Sequence, residues 1–156
     1  MCIFKKGLKI NLFVVCIFMI LGLLDNAFAE DIILNDLKGQ VVNLSSAKNK
    51  PAILFFWTTW CSYCRKEIKG LNQLYLEMKK EGIALFAVNI GESDYKVQRF
   101  FKDYVLNFNV LLDKEGKLAD RYDVIGVPTY ILLNKSGHRV ARENALPADY
   151  RNLLLK

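Results

Sequence analysis

The sequence predicts an α/β protein in three layers, a central mixed β-sheet with helices on both faces. Three observations predict it. Residues 52–57 (AILFFW) and 83–90 (IALFAVNI) are apolar runs without alternation, the mark of strands covered on both faces. Between them, Ile68, Leu71, Leu74, Tyr75 and Met78 recur at helical spacing until Gly82 stops the pattern. A further apolar strand at 129–133 is followed by the turn Lys135-Ser136-Gly137 and an edge strand at 138–141.

The other elements fill in around this frame. Residues 32–34 and 41–44 flank Lys38-Gly39 as a hairpin. Ser93 caps a helix running to about Tyr104, residues 109–112 form a short strand, and 118–122 a brief helix. Pro147 starts a closing helix that carries Tyr150, Leu153 and Leu154. No repeat or low-complexity tract interrupts the order, and strands alternating with helices make a layered sandwich about one sheet.

Residues 1–29 follow the plan of a secretory signal peptide. Lys5, Lys6 and Lys9 make a basic start, 10–24 is apolar, and Ala27-Phe28-Ala29 offers the small-x-small pattern for cleavage. A retained membrane anchor is the competing reading, but a helix over 10–24 would span about 22 Å against a hydrocarbon core of about 30 Å. Lipidation at Cys16 lacks the small residue expected before it. Residues 30–156 then suit one domain, with 19 basic against 15 acidic residues, a net charge of +4. That surplus gives no argument for nucleic acid binding.

Of four cysteines, Cys2 and Cys16 lie in the leader, so the exported body keeps only Cys61 and Cys64, in Trp60-Cys61-Ser62-Tyr63-Cys64. In an oxidising compartment a lone vicinal pair is either a small staple or a working redox couple. A four-residue loop constrains the unfolded chain little and makes a poor staple. Zinc requires about four ligands, and the exported body offers two cysteines and His138, a surface residue on an edge strand. Two thiolates can hold Cu(I), so a copper-delivering or apocytochrome-holding module remains an alternative.

Cys61 falls where a strand has ended and a helix begins, where unpaired N–H groups and the helix dipole stabilise a thiolate; it is the nucleophile. Cys64, a turn further in and more buried, resolves the mixed disulfide. Glu67, three residues on, shares a helix face with Cys64. Spacing alone leaves two readings open: a desolvated carboxylate that exchanges protons with Cys64, or an idle surface group favourable to the dipole. Gly126-Val127-Pro128-Thr129 precedes a buried strand; a cis bond there would turn the Val127 backbone outward as an edge for an extended substrate. Taken alone, Val-Pro is more often trans and merely ends a turn.

Phe56-Trp57-Thr58-Thr59-Trp60-Cys61-Ser62-Tyr63-Cys64, the helix after it and Val127-Pro128-Thr129 together resemble the thioredoxin fold. More narrowly, Cys64-Arg65-Lys66-Glu67, residues 87–93 (AVNIGES), Val110-Leu111-Leu112-Asp113 and Tyr122-Asp123-Val124 are similar to the TlpA/ResA group of extracytoplasmic thiol-disulfide oxidoreductases, over about 34–140. The resemblance implies a thioredoxin-like three-layer sandwich, a catalytic set of Cys61, Cys64 and Glu67, and a redox disulfide between the two cysteines. It places Phe55 where ordinary thioredoxins carry a buried aspartate, and passes proton handling to Glu67. It also implies a cis Pro128 packed on the dithiol, with Val127 as backbone contact. Trp60, next to Cys61, and Tyr63, between the cysteines, are read from their own positions as rings offered to substrate.

The function implied is reduction of disulfides in exported proteins such as apocytochrome c, in cytochrome c maturation. Electrons would come from a membrane thiol donor of the CcdA/DsbD type, and the chain would work as an extracytoplasmic monomer without cofactor or bound metal. Three departures stand against the group's pattern: Tyr63 where proline is usual before the second cysteine, no proline two residues after Glu67, and Asn109 in place of another proline. Because residues between the cysteines tune the couple, Ser62-Tyr63 keeps a disulfide oxidant or isomerase open as the competing enzyme. The Thr-x-x-Cys and distant resolving cysteine of a peroxidase are absent, so antioxidant activity is not expected.

Overall fold

A computed structural model describes residues 32–47 and 49–156. The expected leader, its expected cleavage site and Cys16 lie outside the described residues. The elements are β1 (Ile33–Asp36), β2 (Val41–Asn43), a 3-10 turn (Leu44–Ala47), β3 (Ala52–Trp57), α1 (Ser62–Lys80), β4 (Ala84–Ile90), α2 (Asp94–Phe100), β5 (Val110–Asp113), α3 (Lys117–Arg121), β6 (Thr129–Leu133), β7 (Arg139–Glu143) and α4 (Tyr150–Leu154). Seven strands make one sheet in the order β2-β1-β5-β4-β3-β6-β7. β3, β4 and β5 run parallel to one another, while β1, β2, β6 and β7 join antiparallel to their neighbours.

Alternation along the central strand β3 divides the interior. Ile53, Phe55 and Trp57 face α1, Val97 and Phe101 at α2, and Tyr150 and Leu154 of α4. Ala52, Leu54 and Phe56 face the 3-10 turn and α3, through Leu118, Ala119 and Tyr122. Every residue of β3 is buried, and each large apolar side chain so placed contributes about 1.5–3 kcal/mol relative to exposure. Covering both faces is what lets this strand do without polar residues.

Three boundaries differ from the sequence expectation. The helix capped by Ser93 stops at Phe100, short of Tyr104, because the chain turns inward: Phe101 and Phe100 pack on the Trp57 ring at 5.3 and 5.5 Å, and Tyr104 stacks on Phe100 at 5.7 Å. The last edge strand runs over Arg139–Glu143, displaced toward the C-terminus by an irregularity in its pairing at Leu132/Leu133. Pro147 precedes α4 by a turn, its carbonyl accepting from the Tyr150 N–H at 3.1 Å.

Candidate functional site

Three segments converge at the C-terminal end of β3. After Trp57 the chain leaves the sheet through Thr58-Thr59-Trp60, and this bend is tied to the end of β4. The Thr59 N–H donates to Glu92 Oε2 and its hydroxyl to Oε1, each at 2.7 Å. Asn89 Nδ2 donates to the same carboxylate at 2.8 Å and Lys96 Nζ pairs with it at 2.6 Å. Burial alone would raise the Glu92 carboxyl, but the hydrogen bonds from Asn89, Lys96 and Thr59 outweigh it and hold the group below the usual carboxylate range.

The bend delivers Cys61 to the N-cap position of α1, in extended backbone conformation, where its Sγ accepts from the Cys64 N–H at 3.1 Å. Cys61 and Cys64 are joined in a disulfide with Cα atoms 5.2 Å apart. Cys61 is 6% exposed and Cys64 is fully buried. The sulfur open to an incoming thiol is therefore that of Cys61, and it is the one nearest the free N–H groups of the helix start.

The loop before β6 closes the other side. The Val127–Pro128 peptide is cis, and the Val127 carbonyl oxygen lies 3.8 Å from Cys61 Sγ. The Thr129 hydroxyl donates to the Gly126 carbonyl at 2.8 Å and holds the turn. Beside it lies an open groove of about 820 Å³, lined by Tyr63, Glu67, Ile125, Val127, Pro128 and Arg142 among others. Trp60, Tyr63 and Ile125 are 67, 70 and 94% exposed, an apolar rim around an otherwise buried disulfide.

Glu67 is half-buried at the floor of this groove, one turn beyond Cys64 on α1. Its Oε2 accepts a 2.6 Å hydrogen bond from the Tyr130 hydroxyl. Tyr130 is fully buried on β6, directly across from Phe55 on β3, and the two rings stack at 4.7 Å. Burial, and then the Glu67 carboxylate, push the Tyr130 phenol far above its ordinary value, so it is a donor at every working pH.

All seven residues singled out from the sequence, Trp60, Cys61, Tyr63, Cys64, Glu67, Val127 and Pro128, come together at this end of the sheet. Two others belong to the assembly and were not singled out for it. Glu92 had a signal in Asn89, a polar residue inside a buried strand that must find a partner. Tyr130 had a weaker one, a phenol within a fully buried strand.

A redox disulfide at the start of a helix, flanked by a cis-proline loop and mounted on a mixed sheet with helices on both faces, defines a thioredoxin-like thiol-disulfide oxidoreductase. The AhpC/TSA family model matches residues 26–141. The thiol-disulfide oxidoreductase ResA of Bacillus subtilis (strain 168) is 37% identical over 131 residues, covering 81% of this chain and 73% of that protein. Its counterpart from Bacillus thuringiensis subsp. konkukian (strain 97-27) is 38% identical over 109 residues, 70% of this chain and 63% of that one. The crystal structure of the exposed lipoprotein thioredoxin Etrx1 of Streptococcus pneumoniae strain TIGR4 superposes with a TM-score of 0.71 at 26% identity, covering 80% of this chain and 98% of that one. The chain belongs to the AhpC/TSA family, and within it to the ResA-type thiol-disulfide oxidoreductases.

Proposed function

We propose that this protein is exported and reduces disulfides in extracytoplasmic proteins, apocytochrome c among them, and is itself re-reduced by a membrane thiol donor of the CcdA/DsbD type. The observation that carries the reading is the Cys61–Cys64 disulfide at the N-terminus of α1, its accessible sulfur 3.8 Å from the Val127 carbonyl on an edge open to an extended segment. The exposed lipoprotein thioredoxin among its structural neighbours supports export. Among the described residues no helix is long and apolar enough to cross a membrane.

The cycle runs on two electrons and two protons. The Cys61 thiolate attacks one sulfur of the substrate disulfide; a Cys61–substrate S–S bond forms, the substrate S–S bond breaks, and the first substrate thiolate leaves and takes a proton. Cys64 then gives its proton to Glu67 as its sulfur attacks Cys61 Sγ. The mixed disulfide breaks, and the second substrate thiolate is released to be protonated in turn. Glu67 suits this task by its place one turn from Cys64 at the floor of the groove. Substrate lies along the Val127 edge, with Trp60 and Tyr63 packing against its apolar side chains.

The direction of flow is a question of potential. Equilibration of the purified domain with glutathione and dithiothreitol buffers is expected to give a value near about −270 mV or below; one near about −120 mV would assign the protein to disulfide formation instead. Catalysed reduction of insulin and of a disulfide-bonded haem-motif peptide is expected alongside. Tight Cu(I) binding without such turnover would replace the enzyme with a binding module.

A further inference from the structure

We infer that Tyr130 is the positioning residue for the Glu67 carboxylate: its hydroxyl holds Oε2 and leaves Oε1 as the oxygen that exchanges a proton with Cys64. The inference rests on the reading of Glu67 as proton carrier and adds to it a device 63 residues away in the chain. Three observations carry it. The 2.6 Å bond joins a fully buried phenol to a half-buried acid, and among the described residues Glu67 has no other hydrogen bond or ion pair. The phenol is itself packed in one place, its ring stacked on Phe55 in the register of a central strand pair. And Phe55 supplies no polar atom of its own, so Tyr130 is what β3 and β6 offer to the acid in place of a strand carboxylate.

A donor fixed on one carboxylate oxygen does two things. It selects the rotamer of Glu67, since a long acidic side chain at the edge of a groove otherwise samples several, and it occupies Oε2, so that Oε1 is the oxygen left to meet a proton. The other titratable or charged groups facing the groove are Tyr63 on α1 and Arg142 and Glu143 on β7; neither β7 group bonds to Glu67. Their influence would be long-range and weakened by salt, whereas that of the Tyr130 hydrogen bond would persist.

The test is the pH dependence of mixed-disulfide resolution and of insulin reduction in Tyr130→Phe, Glu67→Gln and the double variant, each at low and high salt. Phenylalanine keeps the stack on Phe55 and removes only the hydroxyl. The expected result is a Glu67-dependent limb that is displaced by about one pH unit in Tyr130→Phe at both salts, the size that losing a hydrogen bond to a charged group gives. The limb should vanish in Glu67→Gln, and Tyr130→Phe should add no further change in that background. If Glu67→Gln leaves the profile as it was, the proton-carrier reading falls and takes the inference with it. If Glu67→Gln abolishes the limb and Tyr130→Phe leaves it in place, the inference alone is overturned. A readout on the unmutated protein stands if Tyr130→Phe does not fold: the carbon-13 resonance of the Tyr130 ring carbon bearing the hydroxyl should step at the pH where Glu67 titrates, and a flat trace overturns the inference.

Discussion

Thr59 gives both of its donors to one carboxylate, the N–H to Oε2 and the hydroxyl to Oε1 of Glu92, each at 2.7 Å. The two residues stand 33 positions apart, and their pairing clamps the segment that carries Trp60 and Cys61 to the end of the neighbouring strand. A loop that would otherwise be free to bend thus holds the nucleophile in one place. Removing the acid strands three donors, on Thr59 and Asn89, in a buried setting. Glu92→Ala is expected to cost about 3 kcal/mol of stability, measured by urea unfolding with the disulfide intact, and Glu92→Gln less, because one oxygen still accepts.

The same carboxylate makes a prediction about acid. Its hydrogen bonds, opposing the burial that would raise it, hold the folded-state group below its unfolded value. The unfolded chain therefore takes up the proton first as pH falls, and the stability tied to this group is present above the ordinary glutamate value of about 4.3 and lost below it, as the pH drops through the lower folded value. Unfolding free energies of the wild type and Glu92→Gln should differ most above that range and converge in stronger acid. Parallel curves would show that Glu92 is not the group responsible.

Legibility from sequence followed the same division between local and distant partners. β3 and β6 were readable to the residue, because unbroken apolar runs are bounded by Pro51 or Pro128 on one side and by polar residues on the other. The end of α2 was not, since it is set by the packing of Phe100, Phe101 and Tyr104 around Trp57, a tertiary contact with no periodic trace. The dithiol declared itself by spacing. Glu67 did not: three residues from Cys64 is compatible with either a surface or an inward acid, and what distinguishes them is a hydroxyl on a strand of the opposite half of the chain.

Trp60 and Tyr63 are expected to matter for substrate and little for folding. Both rings are more than two-thirds exposed, so Trp60→Ala should change stability by no more than about 0.5 kcal/mol. Because Trp60 directly precedes the reactive cysteine and its ring is exposed, the same change should raise KM for insulin or a folded protein disulfide several-fold while leaving reduction of a small disulfide such as oxidised glutathione nearly as it was. Equal losses on both substrates would mean that the ring supports the dithiol and not the substrate.

The two cysteines should also be separable chemically. Cys61 is the N-cap residue of α1, slightly exposed, with the Cys64 N–H directed at its sulfur, while Cys64 is sealed beneath it. In the reduced protein the thiolate therefore gathers on Cys61, where backbone donors stabilise it, and the sealed Cys64 thiol lacks both the charge and the access that alkylation needs. Brief treatment with iodoacetamide near neutral pH should label Cys61 alone, as peptide mapping would show. Cys61→Ser should then abolish turnover. Cys64→Ser should keep a reactive Cys61 and trap it as a mixed disulfide with substrate, visible on non-reducing gels. Labelling of both cysteines at similar rates would overturn the division of labour between attacking and resolving sulfur.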